Sequence, residues 1–364
     1  MTIPTFDLLH WITENAAKAE FDFASSNIQG IGFAELARMA GYKIPGNFDL
    51  GKNTPAGRPA LREALAEMYS CGDNNIVTAA GGTEANFLVF YALLQPGDEV
   101  IVEQPGYCPL WYVPQSLGAR IIHLPRRPEN AFQPDPNELK MRITPKTRLI
   151  VLTNLHNPSG VLIPKERIAT INSIAKKAGC YVLVDEIFLH AVRAAGRSSA
   201  GMENVIITSS LTKIFGLGGL RTGWIIASKE LSQIFQQAKE MIAGAGCHLS
   251  EAISAYALSA SQQALTERFL KVARTNFPIV QKWMRDNNDI LEWIPPVAGI
   301  LCFPKYRSET DSLSVARYLL NDFGVLVSPG CLFGLEQHFR LNFRSDTISL
   351  EKGLKRMEKG LRAL

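Results

Sequence analysis

Apolar positions near the amino terminus fall at helical spacing: Leu8, Leu9, Trp11, Ile12 and Ala16 line one side of residues 6–19. That spacing predicts a short amphipathic helix packed on the body as an arm. From about residue 53 the pattern changes to apolar runs that alternate with helical segments. PALREALAEMY, IVTAA, TEANFLVFYALL, DEVIVE, ARIIHL, RLIVLTN, KERIATINSIAKKA and YVLVDEI follow in that order, and the alternation predicts a mainly parallel sheet covered by helices. LIVLTN and YVLVDE are apolar throughout, as strands buried on both faces must be. Ligands of such open sheets lie beyond the carboxyl ends of the strands, where Asn157, Asp185 and Lys213 fall.

After about Leu265 the chain reads as a long polar helix through Asn288, followed by the strand candidates ILCFP and GVLVSP, the segment HFRLNFR and a terminal helix from Leu350. The expectation is an α/β chain. A three-layer large domain spans residues 30–270, and a smaller α+β unit combines residues 271–364 with the arm, residues 1–29. The stretch Pro125–Pro136 is expected to be a surface loop. Neither a solenoid repeat nor a low-complexity tract occurs.

Composition narrows the function classes. The 364 residues, 46% apolar and 20% charged, make a chain that folds around a sizeable core. Lys plus Arg (38) against Asp plus Glu (34) leaves +4 with no basic run, which gives nucleic acid no electrostatic footing but leaves small anions as ligands. Cys71, Cys108, Cys180, Cys247, Cys302 and Cys331 are widely separated, without a Cys-x-x-Cys pair or a Cys/His cluster; reduced thiols and no metal are expected. No run of about 20 apolar residues occurs, and Asp7 and Glu14 interrupt the first apolar stretch. A soluble, cytoplasmic protein with no membrane contact is expected.

The most informative segment is SSLTKIFGLGGLRTGW, residues 209–224, where Lys213 lies in a Ser/Thr- and Gly-rich loop after the apolar strand VIIT. A loop lysine is ordinarily a solvated charge. Held in a pocket, its amine loses part of its charge preference and can form a Schiff base with an aldehyde such as that of pyridoxal phosphate. Ser210 and Arg221 nearby offer a hydroxyl and a planar cation suited to a phosphate. In AAGGTEANFL a glycine pair runs into a helix at Gly82 and Thr83, and a helix start binds anions through unpaired amides and the macrodipole. Asn157 in NLHNPSG is an amide held at a strand end by the break at Pro158. Asp185 closes the apolar strand VLVD, so its carboxylate needs a buried partner, which a protonated pyridine nitrogen supplies.

The order GGTEA, PGY, HNPSG, DEIF, SSLTK and then Arg221 resembles the fold-type I pyridoxal-phosphate enzymes, specifically the class I/II aminotransferases, across residues 48–345. The resemblance implies pyridoxal 5′-phosphate as cofactor, an aspartate aminotransferase-like fold, and a homodimer with its cofactor pocket at a twofold interface. It casts Lys213 as the lysine that carries the cofactor and later moves protons, and Asp185 as the partner of the pyridine nitrogen. Asn157 becomes a donor to the ring hydroxyl oxygen, and Tyr107 in EQPGYCP the ring stacked on the cofactor. Gly82, Thr83, Ser210 and Arg221 become the phosphate cradle. In HFRLNFR, Arg340 takes the place that grips a substrate α-carboxylate, and Arg344, four residues on and facing the same side of the strand, is its decoy.

Two positions depart from the family. Phe188 stands where a tyrosine commonly touches the ring oxygen, and Lys52 where a tyrosine is often donated across the dimer interface. His190, Arg193, Asn27 and Gln29 fall where the family lines its substrate pocket, though such residues are as readily surface or cap residues. The reaction implied is amino transfer from an L-α-amino acid to a 2-oxo acid, both taken in turn at one site. Elimination and oxidation by the same cofactor remain alternatives. A DNA-bound sensing module is not expected, because the roughly fifty residues before GKNTPAG carry no basic stretch.

Overall fold

The computed structural model describes residues 3–41, 48–51, 54–192 and 198–364. Helix α1 (Asp7–Asn15) and the two-residue strand β1 (Phe21–Asp22) form the arm, followed by α2 (Phe33–Ala40) and α3 (Pro59–Tyr69). Seven strands make the main sheet: β2 (Ile76–Ala79), β3 (Glu99–Gln104), β4 (Arg120–Pro125), β5 (Thr147–Thr153), β6 (Tyr181–Asp185), β7 (Val205–Ser210) and β8 (Gly223–Ile226). Their order is β2-β8-β7-β6-β5-β3-β4. Neighbours from β7 to β4 run parallel, and β8 is antiparallel to both β2 and β7. The sheet is thus mainly parallel, as the alternation predicts.

Successive side chains of a strand point to opposite faces, and the buried residues divide accordingly. Ile150, Leu152, Val182 and Val184 join one core with Leu61 and Leu65 of α3 and with Ile168 and Ile171 of α7 (Lys165–Ala178). Leu149, Val151, Leu183 and Ile206 join the other with Leu88 of α4 (Gly82–Leu93), Leu110 of α5 (Pro109–Ser116) and Phe235 of α8 (Lys229–Ala243). Helices cover both faces, which makes the three layers. The short α6 (Pro136–Arg142) is started by Asp135, whose side chain accepts from Asn137 N.

Helix α9 runs unbroken from His248 to Asp286, 39 residues, so it begins well before Leu265. Its first half buries small side chains, among them Ser254, Ala255, Ala257 and Ser261, and therefore shows no large-residue stripe to a periodicity reading. Beyond it come β9 (Leu291–Glu292), β10 (Leu301–Cys302), β11 (Lys305–Tyr306), α10 (Ser312–Phe323), β12 (Val325–Leu326), β13 (Ser328–Pro329), β14 (Phe339–Asn342) and α11 (Thr347–Arg362). Strands β10, β14 and β13 form a small antiparallel sheet, and the arm's β1 pairs in parallel with β12.

Two expectations are corrected. The Pro125–Pro136 stretch is not simply a surface loop, because Arg126 and Phe132 within it are buried. Strand β14 ends at Asn342, so Arg344 lies outside the strand that carries Arg340. Lys52 and Arg193 fall outside the described residues. Among the described residues no helix is long and apolar enough to cross a membrane.

Arg126 is buried for a reason. It pairs with Glu103 at 2.6 Å, both side chains fully covered, and Glu103 also accepts from the Thr153 amide at 2.8 Å. Burial pushes the Glu103 carboxyl up, and Arg126 opposes that shift. Thr153 Oγ1 in turn accepts from the Asn157 amide at 3.1 Å, so the pair under β3 and β5 holds the loop that bears Asn157. Removing one member of a buried pair leaves the other charge uncompensated. Glu103→Ala is therefore expected to lower stability by about 3–5 kcal/mol, read as a fall in the denaturant midpoint at unchanged slope.

Candidate active site

The carboxyl ends of β5, β6 and β7 open on a cavity of about 110 Å³. Its walls include Gly82, Thr83, Tyr107, Asn157, Asp185, Ser210, Lys213 and Arg221 together. These eight come from five separate stretches of chain, and a sheet whose strands end at one edge is what gathers them.

Asp185 is the last residue of β6 and is buried. Its Oδ2 accepts from Asn86 Nδ2 at 2.9 Å and its Oδ1 from the Ile187 amide at 3.0 Å. Burial raises its carboxyl to about 6, against the pull of these donors and of Lys213.

Lys213 follows β7 by three residues and is part-buried. Its Nζ donates to Ser26 Oγ at 2.8 Å and to Asn27 Oδ1 at 2.6 Å, both from the arm. The Phe188 ring lies 6.0 Å from Nζ. Desolvation lowers the amine to about 7, and the Arg340 charge adds to this while Asp185 opposes it.

At the other end of the cavity Gly81 (φ 94) turns the chain into α4, which begins at Gly82. A Cβ at Gly81 would fall 2.5 Å from Arg221 Nη2, and one at Gly223 would fall 2.4 Å from the Gly81 carbonyl carbon. Only glycine permits this approach of backbone and guanidinium. Arg221 reaches back to the Ala80 carbonyl at 3.0 Å. Thr83 is exposed at the first turn and shares a hydrogen bond with the Tyr107 hydroxyl, whose proton burial holds firmly in place. Tyr107 meets Phe6 of the arm edge-on at 5.6 Å.

Arg340 is buried on β14, outside the lining but touching it: Nη1 donates to Asn157 Oδ1 at 3.0 Å. Asn157 is left with its NH2 end to offer the cavity. Arg340 Nη2 donates to the Ala24 carbonyl at 2.7 Å and to Ser328 Oγ at 3.3 Å, while Nε has no partner. Burial lowers its proton affinity to about 10, which still leaves it charged at neutral pH. Among the described residues no carboxylate pairs with it. Arg344 instead pairs with Asp22 at 2.7 Å, so the two arginines are told apart by their partners.

Sequence reading missed Ser26, Asn86 and Thr153. Asn86 has a usable signal: it lies four residues after Gly82, one helical turn below the glycine and on the same face. Asn27 was one of several open candidates, and it is the one in contact with the lysine. His190 is buried against Tyr69 at 3.2 Å, and Gln29 is exposed.

Comparison with known proteins gives the same picture. The family model for aminotransferase class I and II matches residues 51–357. Capreomycidine synthase of Streptomyces vinaceus is 31% identical over 97% of this chain and 92% of its own length. A PLP-dependent aminotransferase from Streptococcus suis superposes with a TM-score of 0.90 at 27% identity, covering 100% of this chain and 99% of that one. The PLP-dependent cyclase OrfR also superposes with a TM-score of 0.90, at 25% identity over 100% and 98% of the two chains. This chain therefore belongs to the aminotransferase class I and II family and is an enzyme of the pyridoxal-phosphate aminotransferase fold.

Proposed function

We propose that the chain moves the amino group of an L-α-amino acid to a 2-oxo acid, with Lys213 as the covalent anchor of the cofactor and the carrier of the substrate proton. The observation that carries the proposal is an amine of lowered proton affinity in one cavity with a buried carboxylate, beside a buried arginine with no carboxylate partner among the described residues. The residues fit pyridoxal phosphate. Gly82, Thr83, Ser210 and Arg221 make an anion cradle too tight for a Cβ at Gly81, and the buried Asp185 in the same cavity would partner a cationic ring nitrogen.

When bound, pyridoxal phosphate supplies an aldehyde that captures amines and a protonated ring that accepts the electron pair left at the substrate Cα. The chain's own residues do the rest. Arg340 receives the substrate carboxylate in a fork-to-fork pair, which orients Cα toward the amine. Lys213 Nζ, neutral above about pH 7, would take the substrate Cα proton and hold it for redelivery. Asp185 would keep the ring nitrogen cationic, Asn157 would donate to the ring oxygen, and Tyr107 would cover the ring. A homodimer working in the cytoplasm belongs to this reading, in keeping with six unpaired cysteines.

A second reading shares every step up to proton removal and then loses or replaces a substituent on the substrate, or closes a ring. The likeness to capreomycidine synthase and to a PLP-dependent cyclase supports it. Phe188, whose ring lies 6.0 Å from Lys213 Nζ, is in keeping with it, since it offers no hydroxyl to the cofactor's ring oxygen and so departs from the pattern of the family's transaminases.

Three measurements test these readings. In cofactor-free protein, labelling of Lys213 by an amine-reactive reagent is expected to rise as pH passes about 7, because the neutral amine reacts and burial has lowered its proton affinity; a rise centred on the range of an ordinary lysine would remove the basis of the proposal. Lys213→Ala is expected to lower turnover by about 10²–10⁴-fold or more, whereas Arg340→Ala mainly raises KM, by roughly a hundredfold. In anaerobic reaction with a panel of amino acids and 2-oxo acids, transamination gives one new 2-oxo acid per new amino acid. Ammonia, a cyclic product or, in air, peroxide in its place assigns the second reading or oxidation.

A further inference from the structure

Asp185 is held by a two-residue chain that neither the sequence motifs nor the relatives assign. Asn86 Nδ2 donates to Asp185 Oδ2 at 2.9 Å, and Thr208 Oγ1 donates to Asn86 Oδ1 at 2.6 Å. All three are buried, with relative exposures of 5%, 0% and 4% for Asn86, Thr208 and Asp185. We propose that Asn86, oriented by Thr208, is the positioning residue that fixes Asp185 as a carboxylate aimed at the ring nitrogen of the cofactor. The inference rests on the assignment of Asp185 to that nitrogen.

The direction of the chain carries the argument. An amide presents an acceptor at one end and donors at the other. Turned the other way, Asn86 would set its oxygen against the Asp185 carboxylate at hydrogen-bond distance, which only a protonated carboxyl tolerates. An ionised Asp185 therefore selects the orientation in which the NH2 end meets it, and the Thr208 hydroxyl, which can donate or accept, supports that orientation by donating to the amide oxygen.

The need for such a partner follows from burial. A carboxylate taken out of water is costly unless its lone pairs are met. Two donors from the chain meet Asp185, one on each oxygen: the Asn86 amide and the Ile187 backbone. Each oxygen keeps a lone pair for the cavity. Burial raises the Asp185 carboxyl to about 6, and Asn86 leads the groups that oppose it, ahead of the Ile187 amide and the Lys213 ammonium.

Position matters as much as charge. Asn86 lies on α4, whose first turn at Gly82 and Thr83 forms the opposite end of the cavity. One rigid helix therefore sets the separation between the anion cradle and the group that holds Asp185, with about 6 Å of rise between residues 82 and 86.

The test uses holoenzyme reconstituted with pyridoxal phosphate labelled with ¹⁵N in the ring, and reads the ¹⁵N shift and the cofactor Kd rather than turnover. Wild-type protein is expected to show a protonated ring nitrogen. Asn86→Leu, which removes the donor at similar volume, is expected to move the signal toward neutral pyridine and weaken cofactor binding by roughly tenfold, the worth of one hydrogen bond to a charged group. Thr208→Val, an isosteric change, gives a smaller shift in the same direction and carries the test if Asn86→Leu does not fold. Thr208→Ser restores the wild-type signal, which loss of packing alone would not do. Asp185→Ala separates the two levels. If it moves the signal while Asn86→Leu and Thr208→Val leave both signal and Kd at wild-type values, the relay is overturned and the role of Asp185 stands. If Asp185→Ala leaves the signal unmoved, the assignment of Asp185 falls and the relay with it.

Discussion

Two buried charges of opposite sign, neither paired with an opposite charge among the described residues, set the terms for everything at this site. Asp185 is met by two neutral donors, and Arg340 by an amide, a hydroxyl and a backbone carbonyl. A fold tolerates such charges when something outside the chain completes them. On the proposed function, a heterocyclic cation would complete the first and a substrate carboxylate the second. Burial lowers the amine of Lys213 to about 7, with Arg340 adding to the shift and Asp185 opposing it, which leaves it able to change protonation near neutrality.

Much of this was legible because parallel sheets write themselves plainly. Continuous apolar runs such as RLIVLT and VIIT can be little else than strands buried on both faces, and the residues just past their ends are then the natural candidates. Asp185, Asn157, Ser210 and Lys213 were found this way, and all share one cavity. The glycine pair at 81 and 82 was legible for a different reason, as the start of a helix, and the structure adds that close approach of Arg221 demands glycine at 81.

What was illegible has physical causes as well. The contacts of Ser26 and Asn27 with Lys213 join segments far apart in sequence, and no local pattern announces a long-range contact. Asn86 hides in a helix that is apolar nearly all round, where a single amide reads as an interruption rather than a function. The start of α9 was lost because small buried residues carry little periodic signal. Arg126 was misjudged because prolines around it suggest a solvated loop, whereas Glu103 draws it inside.

The arm has a consequence for biosynthesis. Ser26 meets Lys213 across 187 positions, and Ala24 meets Arg340 across 316. Contacts of such long sequence separation form late, after most loop entropy has been spent. On a nascent chain the lysine therefore emerges well before the segment bearing Arg340. The centre becomes whole only when the segment bearing Arg340 has left the ribosome and the arm has folded back against it.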